Sequence, residues 1–481
     1  MSEPPPRTVE ALACASITEL APRIRSGELS PVDLVEAALA RIERFRPLNA
    51  FITVTSDLAR SQAAVSAREI TAGRYRGPLH GIPISLKDLI STRGIRTTSG
   101  SRIHAEHVPV ADAAIAVRLQ NAGAILIGKT ALHEFAYGVT TDNPHFGPTR
   151  NPWAWDRIPG GSSGGSGAAV AAGLGTASIG TDTGGSIRIP AALCGVVGLK
   201  PTYGRVSRHG VFPLAWSLDH PGPLTRSVAD AAIVLQAIAG PDPCDPTALG
   251  QIVPDFTEAV RRPVAGLRAG VLADAYHEDV GDDVRRAFEE ALGVFAGIGI
   301  RWERVRFPRV EEAVAAQVTI LMSEAASVHE RWLRDRPGDY GGDTRARLQR
   351  GQFISATQYL RAQRVRALVQ DDAAELLRSY AVLVCPTVPS PAPRIGEETV
   401  VIRGASVRVV DVMTRLTRLW NLTGLPAISV PCGFASSGLP VGLQVIGRPM
   451  DEATVLTVAH AYEQASPWHT HRPPDPPTPA G

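Results

Sequence analysis

The stretch "PGGSSGGSGAAVAAG", Pro159 to Gly173, contains eight consecutive residues, Gly160 to Gly167, that are all glycine or serine. Such a run reads as a flexible tether, as a phosphate-binding loop or as part of a catalytic site, and each reading gives a different protein. Tethers do have this composition. Here the run feeds directly into "AAVAAGLGTASIGTD", small apolar residues of the kind that pack a helix tightly before a buried strand. A domain boundary is therefore not expected, and the chain reads across the run as one unit. Short apolar runs alternate with helical patterns on both sides. "AAIAVRLQNAG" reads as helix and "AILIG" as strand; "YAVLVCPTVP", "AISVPCG" and "GLQVIG" read as strands before a last helix in "DEATVLTVAHAYEQAS". The alternation predicts an α/β fold around a mainly buried sheet.

Further out, residues 1–70 read as a helical N-terminal region. In "LSPVDLVEAALARIERF", Ser30 is the expected cap, Asp33 completes a capping box and Pro31 takes the first helical position. Residues 71–235 form the motif-rich core. Residues from about 282 to 380 are rich in Arg, Glu and Ala at helical spacing and read as a helical excursion covering a cleft. Residues 381–466 return to sheet and helix, and the Pro-rich tail 472–481 is predicted to be disordered. The whole chain, 1–481, reads as a single domain.

Bulk properties exclude several function classes. Lys and Arg total 49 against 47 Asp and Glu, a net charge of +2 without long runs of one sign, which argues against a nucleic-acid or membrane-surface footprint. No apolar stretch reaches the roughly 18 residues of a membrane span. The start "MSEPPPRTVEALACASITEL" has no basic region leading into an apolar one, so a cytoplasmic location is expected. Five cysteines, odd in number and free of C-x-x-C, predict inert thiols and no zinc site. His104 and His107 form a close histidine pair without nearby partners, and no metal is expected there.

Two motif matches fail on physical grounds. "GAILIGKT", Gly123 to Thr130, fits a P-loop pattern, but its intervening residues are apolar and strand-like where a P-loop needs a turn of exposed N–H groups. Lys129 then reads as an ordinary residue at a strand end. Gly160 to Gly164 fits the esterase elbow G-x-S-x-G, yet the preceding "TRNPWAWDRIP" is turn-like and supplies no strand.

What survives is a constellation of three stretches. Lys87 lies inside the apolar run "GIPISLKDLI". Burial there lowers a lysine pKa toward neutrality and leaves an amine able to act as a base for a serine hydroxyl. Asp88 points to the opposite face of an extended segment, so it need not lock Lys87 in an ion pair. Taken alone, Lys87 also fits a structural pair. In "DTGGS", the successive N–H groups of Thr183, Gly184, Gly185 and Ser186 can converge as an oxyanion-holding nest, with Ser186 placed to attack the carbonyl that the nest holds. Taken alone, this G-G-S also fits an ordinary turn.

Together with "GGSSGGSGAAVAAG…GTDTGGSIRIPAALCGVVGLKPTYGRVS", "GIPISLKD", "GKTALHEFAYG" and "LTGLPAISVPCG…GLPVGLQVIG", these stretches resemble the amidase signature family of serine hydrolases over most of the chain. The resemblance implies a large central mixed β-sheet flanked by helices on both sides. It implies Ser186 as nucleophile, Lys87 as ultimate base and Ser162 as the bridge between them, through a cis peptide bond between Gly161 and Ser162. Ser163, Asp182 and Arg188 would hold the two serine loops together. No metal and no organic cofactor is implied.

The family contains free-standing amidases and the glutaminase subunit of the tRNA-dependent amidotransferase, which works with tRNA-binding partners. An "SSNLARYDG"-like tract for glutamine recognition is missing; "SEAASVHERWLRDRPGDYGGDTRARLQRGQ" stands in its place. The expectation is therefore a free-standing hydrolase of amides, extending to esters, anilides or aryl carbamates; the alternative is the glutaminase subunit of the amidotransferase. Its partners would be a small-molecule amide or carbamate, with no nucleic acid and no membrane, and it would be a monomer or homodimer. By resemblance Phe135, Tyr137, Val139 and Thr140 line the pocket, although core packing fits them equally well. Trp216, with Ile320 and Leu321, would form its cover. Such a pocket would favour aryl or alkyl groups over a highly charged substrate.

Overall fold

The computed structural model describes residues 9–476. Eleven strands join in one sheet: β1 (Phe51–Val54), β2 (Pro83–Lys87), β3 (Ile125–Thr130), β4 (Ala177–Asp182), β5 (Val197–Lys200), β6 (His220–Thr225), β7 (Arg268–Leu272), β8 (Arg301–Val305), β9 (Val382–Pro386), β10 (Ala427–Phe434) and β11 (Pro440–Ile446). Their order across the sheet is β1-β3-β2-β4-β6-β5-β10-β11-β9-β7-β8. The sheet is mixed. β3, β2 and β4 run parallel at one end and β9, β7 and β8 at the other, with antiparallel pairing between. β2, β3, β4 and β6 are buried along their whole length, covered on both faces of the sheet. The expected α/β architecture with a large mixed sheet is what the chain adopts.

Helix α1 (Pro31–Arg44) starts where the sequence places it, with the Ser30 side chain accepting from Val32 N–H at 3.2 Å. α2 (Ala114–Asn121) leads into β3, so the P-loop match is a strand interior. Lys129 within it is buried, donating to the Ile90 carbonyl (2.8 Å) and Thr97 Oγ1 (2.6 Å).

The glycine-serine run opens α3 (Gly164–Ala171), every residue of which is buried. Its glycines serve close approach. A Cβ on Gly165 would fall 2.5 Å from the Ala131 backbone nitrogen, and one on Gly164 only 2.3 Å from Thr141 Oγ1. This run is the opposite of a tether: it is among the most tightly packed segments in the molecule.

After α4 (Arg188–Cys194) the chain crosses the sheet, and residues 282–380 supply α5 (Asp282–Gly297), edge strand β8, α6 (Val310–Asp335), α7 (Gly342–Gly351) and α8 (Ala356–Ser379). α6 packs against α7, α8 and α9 (Arg418–Thr423), which brings the α6 residues Gln317 and Leu321 over the C-terminal end of β4. α10 (Glu452–Gln464) closes the fold. Of the tail read as disordered, residues 477–481 lie outside the described residues, and Asp475 is ion-paired with Arg44 at 2.8 Å.

Candidate active site

Lys87 ends β2 and Ser162 and Ser163 precede α3, so the sheet register and the packed glycine turn decide whether they meet. They do. Lys87 Nζ donates to Ser162 Oγ at 2.7 Å, Ser163 Oγ at 2.9 Å and Thr181 Oγ1 at 2.9 Å. Lys87 is fully buried, and among the described residues its amine hydrogen-bonds only to hydroxyls. Burial drives its pKa down to about 7, opposed by the more distant charges of Asp182 and Asp219. Asp88, next in sequence, turns away: its carboxylate accepts from Thr98 N–H and Oγ1 and lies 3.5 Å from Lys129. The peptide between Gly161 and Ser162 is cis. Thr141 secures this loop from both sides, its hydroxyl donating to Gly160 O (2.8 Å) and accepting from Gly164 N–H (3.1 Å).

The Asp182–Ser186 turn leaves the end of β4 beside them. Ser163 N–H donates to the Ser186 carbonyl at 3.2 Å, which ties the two serine loops together. Asp182 organises the turn. Its carboxylate accepts from Gly185 N–H (2.8 Å), Ile187 N–H (3.1 Å), Arg188 and Asn421. Burial would raise the Asp182 pKa, but the adjacent Arg188 guanidinium overrides it and holds the carboxyl well below the usual range. Arg188 donates onward to Gln444 Oε1 (3.0 Å) and Asn421 Oδ1 (2.8 Å), so this buried ion pair is fully hydrogen-bonded. Gln317 and Thr417 hold the Thr183 and Gly184 carbonyls at 3.2 and 2.6 Å.

Of the four N–H groups expected to converge, that of Gly185 is taken by Asp182. Those of Thr183, Gly184 and Ser186 make no hydrogen bond among the described residues. Nor does the Ser186 hydroxyl, which faces a cavity while Ser162 lies buried behind it.

That cavity has a volume of about 190 Å³. Tyr137 and Val139 line it, as does Leu321. Phe135 does not: it is buried among His104, Phe212, His329, Trp332 and Tyr340. Thr140 instead pairs with His133 Nδ1 at 3.2 Å, Ile320 is buried in the helical layer, and Trp216 is 43% exposed away from the cavity. Four arginines complete the lining: Arg347, Arg350, Arg408 and Arg418. These cations stand where an apolar cover was expected.

The sequence reading missed Asn421, Gln444, Gln317, Thr417 and the pocket arginines. A signal existed for the first two. Gln444 stands alone in the apolar "GLQVIG", and Asn421 lies between the apolar Leu419-Trp420 and Leu422 of "RLWNLTGLP".

Comparison with known proteins adds the family and corrects two expectations. The Amidase family model matches residues 33–456. The chain is 42% identical to the A-subunit of the glutamyl-tRNA(Gln) amidotransferase of Geobacter metallireducens, over 95% of this chain and 98% of that one. It is similar to the solved structure of the corresponding protein from Thermotoga maritima, with TM-score 0.80 and 38% identity over 95% of this chain and 96% of that one. It is also similar to a structure of a vestigial protein complex that bears on the origins of an s-triazine catabolic enzyme, with TM-score 0.90 and 38% identity over 94% and 98% of the two chains.

The expectation of a free-standing hydrolase of amides, esters, anilides or carbamates is overturned by this end-to-end likeness to amidotransferase subunits. It rested on one replaced tract, residues 323–352, covering the second half of α6 and all of α7, a local difference set against similarity along the whole fold. The expected partners, a small-molecule amide or carbamate with no nucleic acid and a monomer or homodimer, are corrected by the same finding. A balanced charge describes what the chain's own surface touches and not what an assembly containing it acts upon. As to membranes, no helix among the described residues is long and apolar enough to cross one. The match of fold, motifs and length leaves one conclusion: the chain belongs to the amidase family, whose signature it carries.

Proposed function

We propose that this chain is the glutaminase-type subunit of an amidotransferase assembly, a cytoplasmic one, cleaving the carboxamide of a carboxylate-bearing donor such as glutamine and releasing ammonia to a partner that acts on aminoacyl-tRNA. The observation that carries the chemistry is the buried contact between Lys87 and Ser162 behind a cavity that holds Ser186. End-to-end likeness to the glutamyl-tRNA(Gln) amidotransferase relatives supports the assembly.

Proton accounting makes the contact directional. The Ser163 hydroxyl donates to the Thr181 carbonyl at 3.1 Å, so toward Lys87 it acts only as an acceptor. A neutral Lys87 amine gives its two protons to Ser163 and Thr181, and its lone pair is left for the Ser162 proton. Ser162 in turn takes the proton of Ser186 as that oxygen attacks the amide carbon. The hydrogen bond from Ser186 to Ser162 forms as substrate binds, since such contacts tighten in the loaded site. The N–H groups of Thr183, Gly184 and Ser186 receive the oxyanion. The proton then returns through Ser162 to the leaving nitrogen, ammonia departs, and water hydrolyses the acyl ester on Ser186. Ser163, Asp182 and Arg188 position the two serine loops.

The test is reconstitution with the partner subunits of a glutamyl-tRNA(Gln) amidotransferase. Glutamine-dependent amidation of glutamyl-tRNA is expected, with Ser186→Ala abolishing it and a sulfonyl fluoride adding mass at Ser186. Absence of amidation by the wild-type assembly, or full activity in Ser186→Ala, would sink the proposal.

A further inference from the structure

The cavity beside Ser186 holds more positive charge than its own carboxylates balance. Of its four guanidinium groups, Arg408 pairs with Asp411 at 2.7 Å and Arg347 lies 3.3 Å from Asp343. The other two make no ion pair among the described residues, the Asp411 charge reaching Arg418 only from a distance. Arg418 is buried, 9% exposed, and donates only to the carbonyl (3.2 Å) and hydroxyl of Thr414, so its Nη1 has no protein acceptor among the described residues. Arg350 stands exposed at the cavity mouth with no side-chain hydrogen bond or ion pair among them. A buried guanidinium without a counter-charge is destabilising unless something else supplies one, and its planar fork fits a carboxylate. Glutamine completes this site imperfectly. It brings one carboxylate but also an ammonium, and the only carboxylate lining the cavity among the described residues, Asp411, is already held by Arg408.

We infer that the amide this site prefers is a net anion: a small carboxamide that carries a carboxylate and no compensating ammonium, its carboxylate held by Arg418 with Arg350 steering entry. The inference deepens the function proposed above and rests on its reading of the site. A cavity of about 190 Å³ suits a molecule of this size.

Three amides of one chain length separate the charges: glutaramate (carboxylate only), glutamine (carboxylate and ammonium) and pentanamide (neither). Ammonia release by the assembled enzyme is expected to fall in that order in kcat/KM, by about tenfold or more at each step, the size of one charged hydrogen bond. The KM for glutaramate rises with ionic strength, as attraction at an open mouth requires. Arg418→Gln lowers the glutaramate-to-pentanamide ratio at least about tenfold. Because that side chain is buried, Arg350→Gln is the companion variant: being exposed, it is safe for folding, and it raises the glutaramate KM about threefold with little change in kcat. Pentanamide turned over as well as glutaramate, glutamine preferred to glutaramate, or a ratio unmoved in both variants overturns the inference while leaving the amidotransferase reading in place. No ammonia from any of the three, with Ser186 refractory to sulfonyl fluoride, overturns the reading of the site and this inference with it.

Discussion

Lys87 and Lys129 occupy neighbouring strands of the same buried sheet, each fully enclosed, and their surroundings differ in one respect. Lys87 meets three hydroxyls and no carboxylate; Lys129 meets a hydroxyl, a carbonyl and, at 3.5 Å, the Asp88 carboxylate. Burial lowers both pKa values, to about 7 for Lys87 and about 8 for Lys129, where Asp88 pulls back. A lysine with a buried counter-charge is part of the scaffold, because removing it strands a carboxylate. A lysine among hydroxyls, buried behind the cavity that Ser186 faces, is held at a loss to the fold, and on our proposal that loss is what makes it a base at neutral pH.

Replacing each lysine with methionine is the sharpest way to break this comparison. Lys87→Met is expected to lower amide turnover by about 10³-fold or more, in the range for a lost general base. The same variant should melt at a higher temperature than wild type near pH 7, since the amine it removes is unpaired and desolvated. Lys129→Met should do the reverse, losing about 3 kcal/mol of stability because buried Asp88 is left without its partner, with turnover of the folded fraction little changed. Equal destabilisation by the two substitutions, read from thermal melts, would erase the distinction.

A weaker effect distinguishes them by pH. Unfolded, either lysine keeps its proton to about pH 10.5; folded, Lys87 releases it near 7 and Lys129 near 8. Between those values the unfolded chain holds more protons, so stability rises as pH rises. Lys87→Met should flatten the pH 7–8 part of that rise, which Lys129 does not share. Turnover should climb through pH 7 as Lys87 loses its proton. A rate flat from pH 6 to 8 would show that the base lies elsewhere.

The legible part of this site is the part written locally. Lys87 stood out as a charge in an apolar run and the Gly160–Gly167 run as glycines too closely followed by small apolar residues to be a tether, while Asp182 and Arg188 entered only through the family resemblance. The partners that complete these groups come from far along the chain. Asn421 and Gln444 reach Arg188 from 233 and 256 residues away. Periodicity shows that α7 is helical, and places Arg347 and Arg350 on one face at a spacing of three. It does not say that this face borders Ser186, because that depends on how α6 to α8 dock on the sheet. Phe135 and Thr140 failed as pocket residues for the same reason: the 135–141 segment has positive φ at Phe135, Ala136 and Thr141, so alternation along it does not predict which side chains face the cavity.

The smallest expected effect concerns Ser163, the residue that makes the Lys87 environment asymmetric. Its hydroxyl accepts from Lys87 and donates to the Thr181 carbonyl, whose own N–H returns a hydrogen bond to Ser163 Oγ at 3.2 Å. Ser163→Ala removes an acceptor that both the charged and the neutral amine use. The charged form, with three protons to place, loses more than the neutral form, which has two. The Lys87 pKa should therefore fall further, and the pH at which turnover reaches half its plateau should move down with it. Plateau turnover should drop by about tenfold or less, because the lone pair is no longer held toward Ser162 by its neighbours while Ser162 itself remains. Ser163→Thr keeps the hydroxyl and should restore the midpoint if its methyl is accommodated. A midpoint moving up in Ser163→Ala would mean that Ser163 donates to Lys87, and the proton order assigned to the three hydroxyls would have to be reversed.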